Sequence, residues 1–394
     1  MPRRRFDLET TLIAGKVCAL GCQPPAIPAS DTGRVLQGLV DRTVADNELV
    51  HGAALRLVSP VLGLEWTGAA GLANPESGAA MTADHSVRIA SNTKTYVAAA
   101  ILRLAEEGRL GIDDPIAAHL PDETVELLIS DGYHPEVMTV RHLLTHTSGL
   151  YDHSDSQKYG DAILADPQHR WTRSEQLAAA IVWGDPWGEP GEVYTYCDTG
   201  YVLLGGIIEQ VSGRPLAAAV RELLRFDELS LKSTWWEDLE ATPDGLPDRA
   251  HQFIDSTGTF AFDPSFDLYG GGGLVATVGD LAAFYRALFT GRVFSDQTTL
   301  EVMLSTIEGA RPRPDADDSA LAPGTYRMGV WVVEIEGVTA YAHSGFWGTA
   351  AVVVPDLDLV VAATVNQNKA KEAMWDLVGE AIAIVKKAQS TTSP

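Results

Sequence analysis

Cysteine is scarce: Cys18, Cys22 and Cys197 are the only three in the chain. That is too few for a disulfide framework or a closed four-cysteine zinc site, and Cys197 reads as a packing residue. Positive charge is short as well. The 29 lysines and arginines stand against 53 aspartates and glutamates, a formal net charge of −24. Such a balance argues against the phosphate backbone of nucleic acid, or an anionic membrane, as the main partner. No stretch approaches the roughly 20 consecutive apolar residues of a membrane-spanning helix. There is no G-x-S-x-G, which argues against the nucleophile elbow of an α/β-hydrolase. The glycine run 270–273 lacks the lysine and hydroxyl of a phosphate-binding loop; it reads as a close backbone approach before a helix.

What is present is an ordinary globular balance, 45% hydrophobic and 21% charged, over 394 residues. That length can bury a large core in one big domain or two lobes. The first residues, "MPRRRFDLETTLIAGKVCALGC", combine a basic start, a partly apolar middle and Cys22 after Ala19-Leu20-Gly21. The pattern is similar to an export signal with a lipid anchor at Cys22. Asp7, Glu9 and Lys16 interrupt the apolar stretch such a signal needs, so an exported and a cytoplasmic protein both remain open. "PPAIPASDT", up to Thr32, reads as a tether.

Helical spacing of Val35, Leu36, Leu39 and Val40 follows. "GAALRLVSP" and "LGLEWTGAAGLAN" are short apolar runs broken by glycine and proline, as in an antiparallel hairpin. A helix over 91–107 should stop at Gly108. Three further helices are expected: one starting at a Thr139 cap and stopping at Gly149, one over 200–213, and one opening with Thr277 and Asp280 at capping-box spacing. Late in the chain the period changes. "YRMGVWVVEIEG", "VTAYAHSGF", "GTAAVVVPDLD" and "LVVAATVNQN" are four β-branched runs separated by turns, and a last helix closes the chain. The expected architecture is an α/β (α+β) fold, an antiparallel sheet flanked by helices with an inserted helical lobe. Residues 1–32 form the signal-like segment and tether, 33–95 with 285–388 the α/β lobe, and 96–284 the mainly helical lobe.

"SNTK" at 91–94 carries the chemistry question. Ser91 and Lys94 are one helical turn apart and share a face, so they could be a nucleophile and its base. A capped helix bearing a surface charge has the same pattern. The rest of the chain discriminates between the two. "YCDTGY" (196–201) lies where a glycine-containing loop enters a helix, and "HSG" (343–345) lies on a late strand. Three motifs in this order resemble the penicillin-recognising serine hydrolases: class C β-lactamases, D-alanyl-D-alanine carboxypeptidases, and related esterases and D-amino-acid amidases. "HLLTHTSGL", "GYVLLGGIIEQVSG", "GGGGLVATVGDLAAF" and "HSGFWGTAAVVVPDLDLVVAATVNQ" extend the resemblance over roughly residues 35 to 385.

The resemblance implies a β-lactamase/DD-peptidase-like fold and an acyl-enzyme on Ser91, with Lys94 and Tyr196 as proton carriers. Either of the two could be the base in acylation. The oxyanion donors would be the backbone N–H groups of Ser91 and of Phe346, which follows "HSG". Asp198, His343, Ser344, Gly345 and Trp347 are the implied substrate contacts, and no cofactor or metal is implied. The partner is a small ester, amide or peptide substrate.

Two positions depart from the family pattern. Asp198 stands where the family has asparagine; it only accepts hydrogen bonds, and beside Lys94 it would form an ion pair. His343 stands where β-lactamases have lysine, which weakens a positive clamp for a substrate carboxylate. Both departures favour an esterase or amidase over a β-lactamase, with a non-turnover penicillin-binding receptor as the rival from another class. His142 and His146 have the i, i+4 spacing of zinc ligands, but "HLLTH" lacks the glutamate of H-E-x-x-H; capping and packing of a turn is the expected role. Trp235 and Trp236 are expected in the core.

Overall fold

The computed structural model describes residues 29–305, 309–313 and 325–392. Cys18, Cys22 and the export-like segment lie outside the described residues. The first helix, α1 (Ala29–Ala45), begins four residues earlier than the sequence predicts. Thr32, expected in the tether, is buried, and Asp31 in the first turn complements the helix dipole.

Strands β1 (Gly52–Ser59) and β2 (Leu64–Asn74) form the expected hairpin, with Gly52 opposite Gly71 and Ser59 opposite Leu64. A short β3 (Ala79–Ala80) extends it. The four late runs become β4 (Trp331–Ile335), β5 (Val338–Gly345), β6 (Thr349–Val354) and β7 (Leu359–Thr364). They join the hairpin in one antiparallel sheet of order β4-β5-β6-β7-β1-β2-β3. The two ends of the chain therefore meet between β7 and β1, with Ala54 opposite Thr364.

The runs "TAAVVV" and "LVVAAT" show no polar alternation because both faces of the sheet are covered; every residue of β6 and β7 is buried. Ala350, Val352, Val354, Val361 and Ala363 join Leu55 and Leu57 of β1 in one core. The helix α1 and the last helix contribute Leu36, Val40, Val378 and Ile382 to it. Ala351, Val353, Val360 and Ala362 point the other way, into a second core shared with the central helices.

The 93–106 helix, α2 (Thr93–Glu106), is buried along nearly its whole length. A single 3-10 turn, Ala90–Asn92, leads into it, so Ser91 precedes the α-helix proper. The Thr139 helix, α3 (Val140–Leu144), is capped as expected, with Thr139 and His142 closing a reciprocal box. It ends at Leu144, five residues before Gly149. The YCDTGY helix, α4 (Asp198–Ser212), starts at Asp198 and stops at the left-handed Gly213. The Thr277-capped helix, α5 (Val278–Phe289), lies against β1, β6 and β7. The lobe boundary expected at 284–285 thus falls inside a helix that packs on the sheet. Asp280 does not complete the expected box; its carboxylate accepts instead from Ser233 N–H at 2.7 Å and the Thr234 hydroxyl at 3.0 Å. The last helix, α6 (Lys371–Thr392), covers the far face of the sheet. Among the described residues no helix is long and apolar enough to cross a membrane.

Candidate active site

The nucleophile segment is held against the end of β5. A Cβ at Gly345 would come 2.2 Å from the Ile89 carbonyl oxygen, so only glycine lets the strand approach this closely. The Asn92 amide donates to Ile89 O (3.1 Å) and Thr349 Oγ1 (3.0 Å), while Thr349 Oγ1 donates to Ile89 O (3.2 Å). Ala90 takes a left-handed φ of 44°, an uncommon backbone conformation for a residue with a Cβ. That bend presents Ser91 at the head of α2. Arg88, just upstream, is buried and pairs with Glu237 at 2.5 Å, and Arg249 pairs with the same carboxylate at 3.2 Å.

Lys94 is fully buried. Its Nζ lies 3.1 Å from Ser91 Oγ, 2.6 Å from the Gly271 carbonyl oxygen and 2.6 Å from Asp198 Oδ1. An ammonium satisfies all three contacts with its three protons. A neutral amine, donating to Gly271 O and Asp198, turns its lone pair towards the Ser91 hydroxyl. The serine and lysine that the sequence places one turn apart are in contact, because the two lie one above the other across the 3-10 turn.

Tyr196 closes the other side, with Lys94 Nζ 5.0 Å from its ring centre. Burial and the Asp198 charge push its phenol well above the usual tyrosine range, and the Ser91 hydroxyl partly offsets this. The phenol is therefore a proton holder at neutral pH. Its ring is stacked on Trp331, 5.5 Å between centres at 16°, and faces His146 at 4.3 Å. Cys197 is buried, and burial, ahead of the Asp152 charge, pushes its thiol well up. It is a protonated packing residue, as its isolation in the sequence suggested.

Asp198 is the first residue of α4, where its backbone N–H donates to Asp152 Oδ2 at 3.0 Å. Burial, and next the Asp198 charge, raise Asp152. A third carboxyl, Asp267, is raised to about 7, first by burial and then by Asp198, against the opposing charges of Lys94 and Arg88. Asp198 thus pairs with Lys94, Asp152 lies beside Asp198, and Asp152 and Asp267 hold protons more firmly than an ordinary aspartate.

His343 and Trp347 are placed otherwise than the sequence suggests. His343 is fully buried and is held down to about 3 by burial and the Lys94 charge, so it carries no positive charge towards a substrate. Its Nδ1–H donates to the Ser344 carbonyl (2.9 Å), which leaves Nε2 to accept from the Tyr326 hydroxyl (3.2 Å). Trp347 is also fully buried, between Phe266, Phe346 and the Arg88 guanidinium, and supports the cleft from below. Phe346 starts the turn after β5 and is the exposed residue of the pair, at 40%. Ser344 is half-buried at the end of the strand.

The two histidines act as caps. His142 Nδ1 accepts from Thr139 N–H (3.1 Å) and His146 Nδ1 from Cys197 N–H (3.1 Å). Among the described residues no group of three or more His, Cys, Asp or Glu is arranged to hold a metal. Sequence reasoning did not single out Asp152, Asp267 or Gly271. The glycine run at 270–273 was the available signal for the last two. A Cβ at Gly270 would meet the Tyr201 carbonyl oxygen at 2.3 Å, the close approach that carries the neighbouring Gly271 carbonyl onto Lys94.

A family model described as Beta-lactamase matches residues 42–382. Esterase EstB of Burkholderia gladioli is 33% identical over 213 residues, 50% of this chain and 50% of the esterase, so the chain spans about half the length of that relative. Penicillin-binding protein 4 of Amycolatopsis lactamdurans is 27% identical over 333 residues, 79% of this chain and 80% of that protein. A D-stereospecific amidohydrolase from Streptomyces sp. superposes with a TM-score of 0.70 at 26% identity, covering 92% of this chain and 99% of that one. D-amino acid amidase from Ochrobactrum anthropi SV3, complexed with L-phenylalanine, gives a TM-score of 0.74 at 25% identity over 91% and 99% of the two chains. With Ser91 in contact with Lys94 at the head of a buried helix, the chain belongs to the Beta-lactamase family of serine hydrolases.

Proposed function

We propose that the protein hydrolyses an ester or small amide through an acyl-enzyme on Ser91, and that it favours acyl groups bearing a free α-amino group. The observation that carries this is the carboxylate of Asp198, which pairs with the buried Lys94 at 2.6 Å and keeps 19% of its side chain exposed. A substrate ammonium would find an acceptor in that carboxylate, whereas the carboxylate of a β-lactam would be repelled by it. Among the structural relatives is a D-amino acid amidase, whose name implies substrates of the favoured kind.

The chemistry divides by protonation. Lys94 in its neutral form takes the Ser91 proton, since its other two contacts fix its remaining hydrogens. Ser91 Oγ attacks the carbonyl carbon, and the N–H groups of Ser91 and Phe346 receive the oxyanion. Such donors contribute about 3–4 kcal/mol each to transition-state stabilisation. The protonated phenol of Tyr196 delivers a proton to the departing amine or alkoxide, and the reverse sequence with water releases the acid. Cys22, in its export-like context, is retained as a candidate lipid-anchor site, checked by labelling expressing cells with a radioactive fatty acid.

The test is a screen of D- and L-phenylalanine amide, their N-acetyl derivatives, p-nitrophenyl butyrate and a chromogenic cephalosporin. Steady turnover, with the free amine preferred over its N-acetyl form, is the expected result. Indifference to acetylation, or a cephalosporin as the best substrate, would overturn the preference. One equivalent of product released without further turnover would assign a receptor instead.

A further inference from the structure

We infer that His146 is the positioning residue for Tyr196, and that it thereby sets how well the protein hydrolyses bonds with poor leaving groups. The inference rests on the proposed role of Tyr196 as proton donor to the leaving group.

The backbone N–H groups of both sequence neighbours of Tyr196 hang from this one residue. Thr195 N–H donates to the His146 carbonyl oxygen at 3.0 Å, and Cys197 N–H donates to His146 Nδ1 at 3.1 Å. The imidazole also lies against the Tyr196 ring, 4.3 Å between centres and tilted by 40°, and Trp331 is stacked on the same ring. Tyr196 is therefore held through the backbone on both sides and packed at its ring by two aromatic neighbours. His146 can reach both amides because it follows α3 in a left-handed conformation, with a φ of 58°. This turns its carbonyl and its side chain towards the same strand of backbone.

The imidazole is retained despite a cost. Because Nδ1 accepts, the single proton of the neutral ring sits on Nε2, and Nε2 is buried without a hydrogen-bond partner. Burial first, then the Lys94 charge, hold the ring neutral well below the ordinary histidine range, which keeps Nδ1 free to accept. An apolar side chain would fill the same space without an orphaned donor. What the histidine adds is the acceptor at the δ position.

That difference defines the test. In His146→Asn the side-chain oxygen occupies the place of Nδ1, and asparagine tolerates a left-handed backbone. In His146→Leu the volume is kept and the acceptor is lost. Each variant is assayed on an amide and on a p-nitrophenyl ester of the same acyl group, an alkyl ester replacing the amide if amide turnover is too slow. The nitrophenolate departs without a proton, so in acylation, the half of the reaction that kcat/KM reads, only the poor leaving group needs Tyr196 in place. His146→Leu should lower kcat/KM on the amide by about ten- to a hundredfold more than on the activated ester, within the range of general acid catalysis. KM should change little, and His146→Asn should recover most of the loss.

A purely structural role would depress both substrates alike, and that result, or full activity of His146→Leu, would overturn the inference. If His146→Leu fails to fold, His146→Gln takes its place, since its amide oxygen lies one bond further out and cannot meet the Cys197 N–H. Tyr196→Phe is measured alongside. If it is amide-selective and the His146 variants are not, the tether falls and the role of Tyr196 stands. If neither is selective, both fall.

Discussion

Replacing Asp198 by asparagine removes the carboxylate that lies 2.6 Å from Lys94 Nζ and keeps the shape of the side chain. The carboxylate stabilises the ammonium over the amine, and the amine is the form that can take the Ser91 proton. Without it the ammonium loses that stabilisation, so kcat/KM at a fixed neutral pH should rise. A charge-assisted contact is worth about 1.5–3 kcal/mol, which is about one to two orders of magnitude in rate. Two features of the site place the result at the lower end. The Asp198 side chain is 19% exposed and partly screened. Asp152, relieved of its neighbour's repulsion, regains negative charge at neutral pH and returns part of the field. The assay is kcat/KM at a fixed neutral pH for a neutral aryl ester, which carries no charge of its own. An unchanged or lower kcat/KM, in a folded variant, would refute Lys94 as the acylation base. A parallel comparison uses an amino-acid amide and a cephalosporin. A ratio shifted towards the cephalosporin in Asp198→Asn shows that the carboxylate also meets substrate, and an unchanged ratio shows that it serves Lys94 alone.

A fluorophosphonate should label the protein at Ser91, and Ser91→Ala should abolish that labelling; peptide mapping that places the adduct on another serine would reject the nucleophile. Activity should survive dialysis against a chelator, because Ser91, Lys94 and Tyr196 suffice for acyl transfer; loss restored by zinc would favour a site at His142 and His146. Asp267, raised to about 7 in the folded protein, binds its proton more tightly folded than unfolded. Its contribution to stability is therefore lost as pH rises from the ordinary aspartate range through about 7. Asp267→Asn should raise the melting temperature by a few degrees at alkaline pH and by much less under acidic conditions; a gain that is independent of pH would contradict this.

Much of the fold and part of the site are legible in the order of residues, and the reason is locality. A nucleophile and a lysine three positions apart are brought together by a single turn, whatever the rest of the chain does. Caps at Thr139 and Thr277 likewise depend on residues three positions away. Runs such as "TAAVVV" need only a pleated backbone to place alternate side chains into two cores. Tertiary structure decided what depends on distance and burial. Gly271, from the far end of a loop, delivers its carbonyl to Lys94 across 177 positions. Asp267 gains its raised affinity for a proton only because burial and Asp198 surround it. His343 and Trp347 sit in a motif that marks the cleft, yet both are wholly buried behind it. A period-two pattern states which residues share a face of a strand, but which face meets solvent is settled by the elements that pack against it.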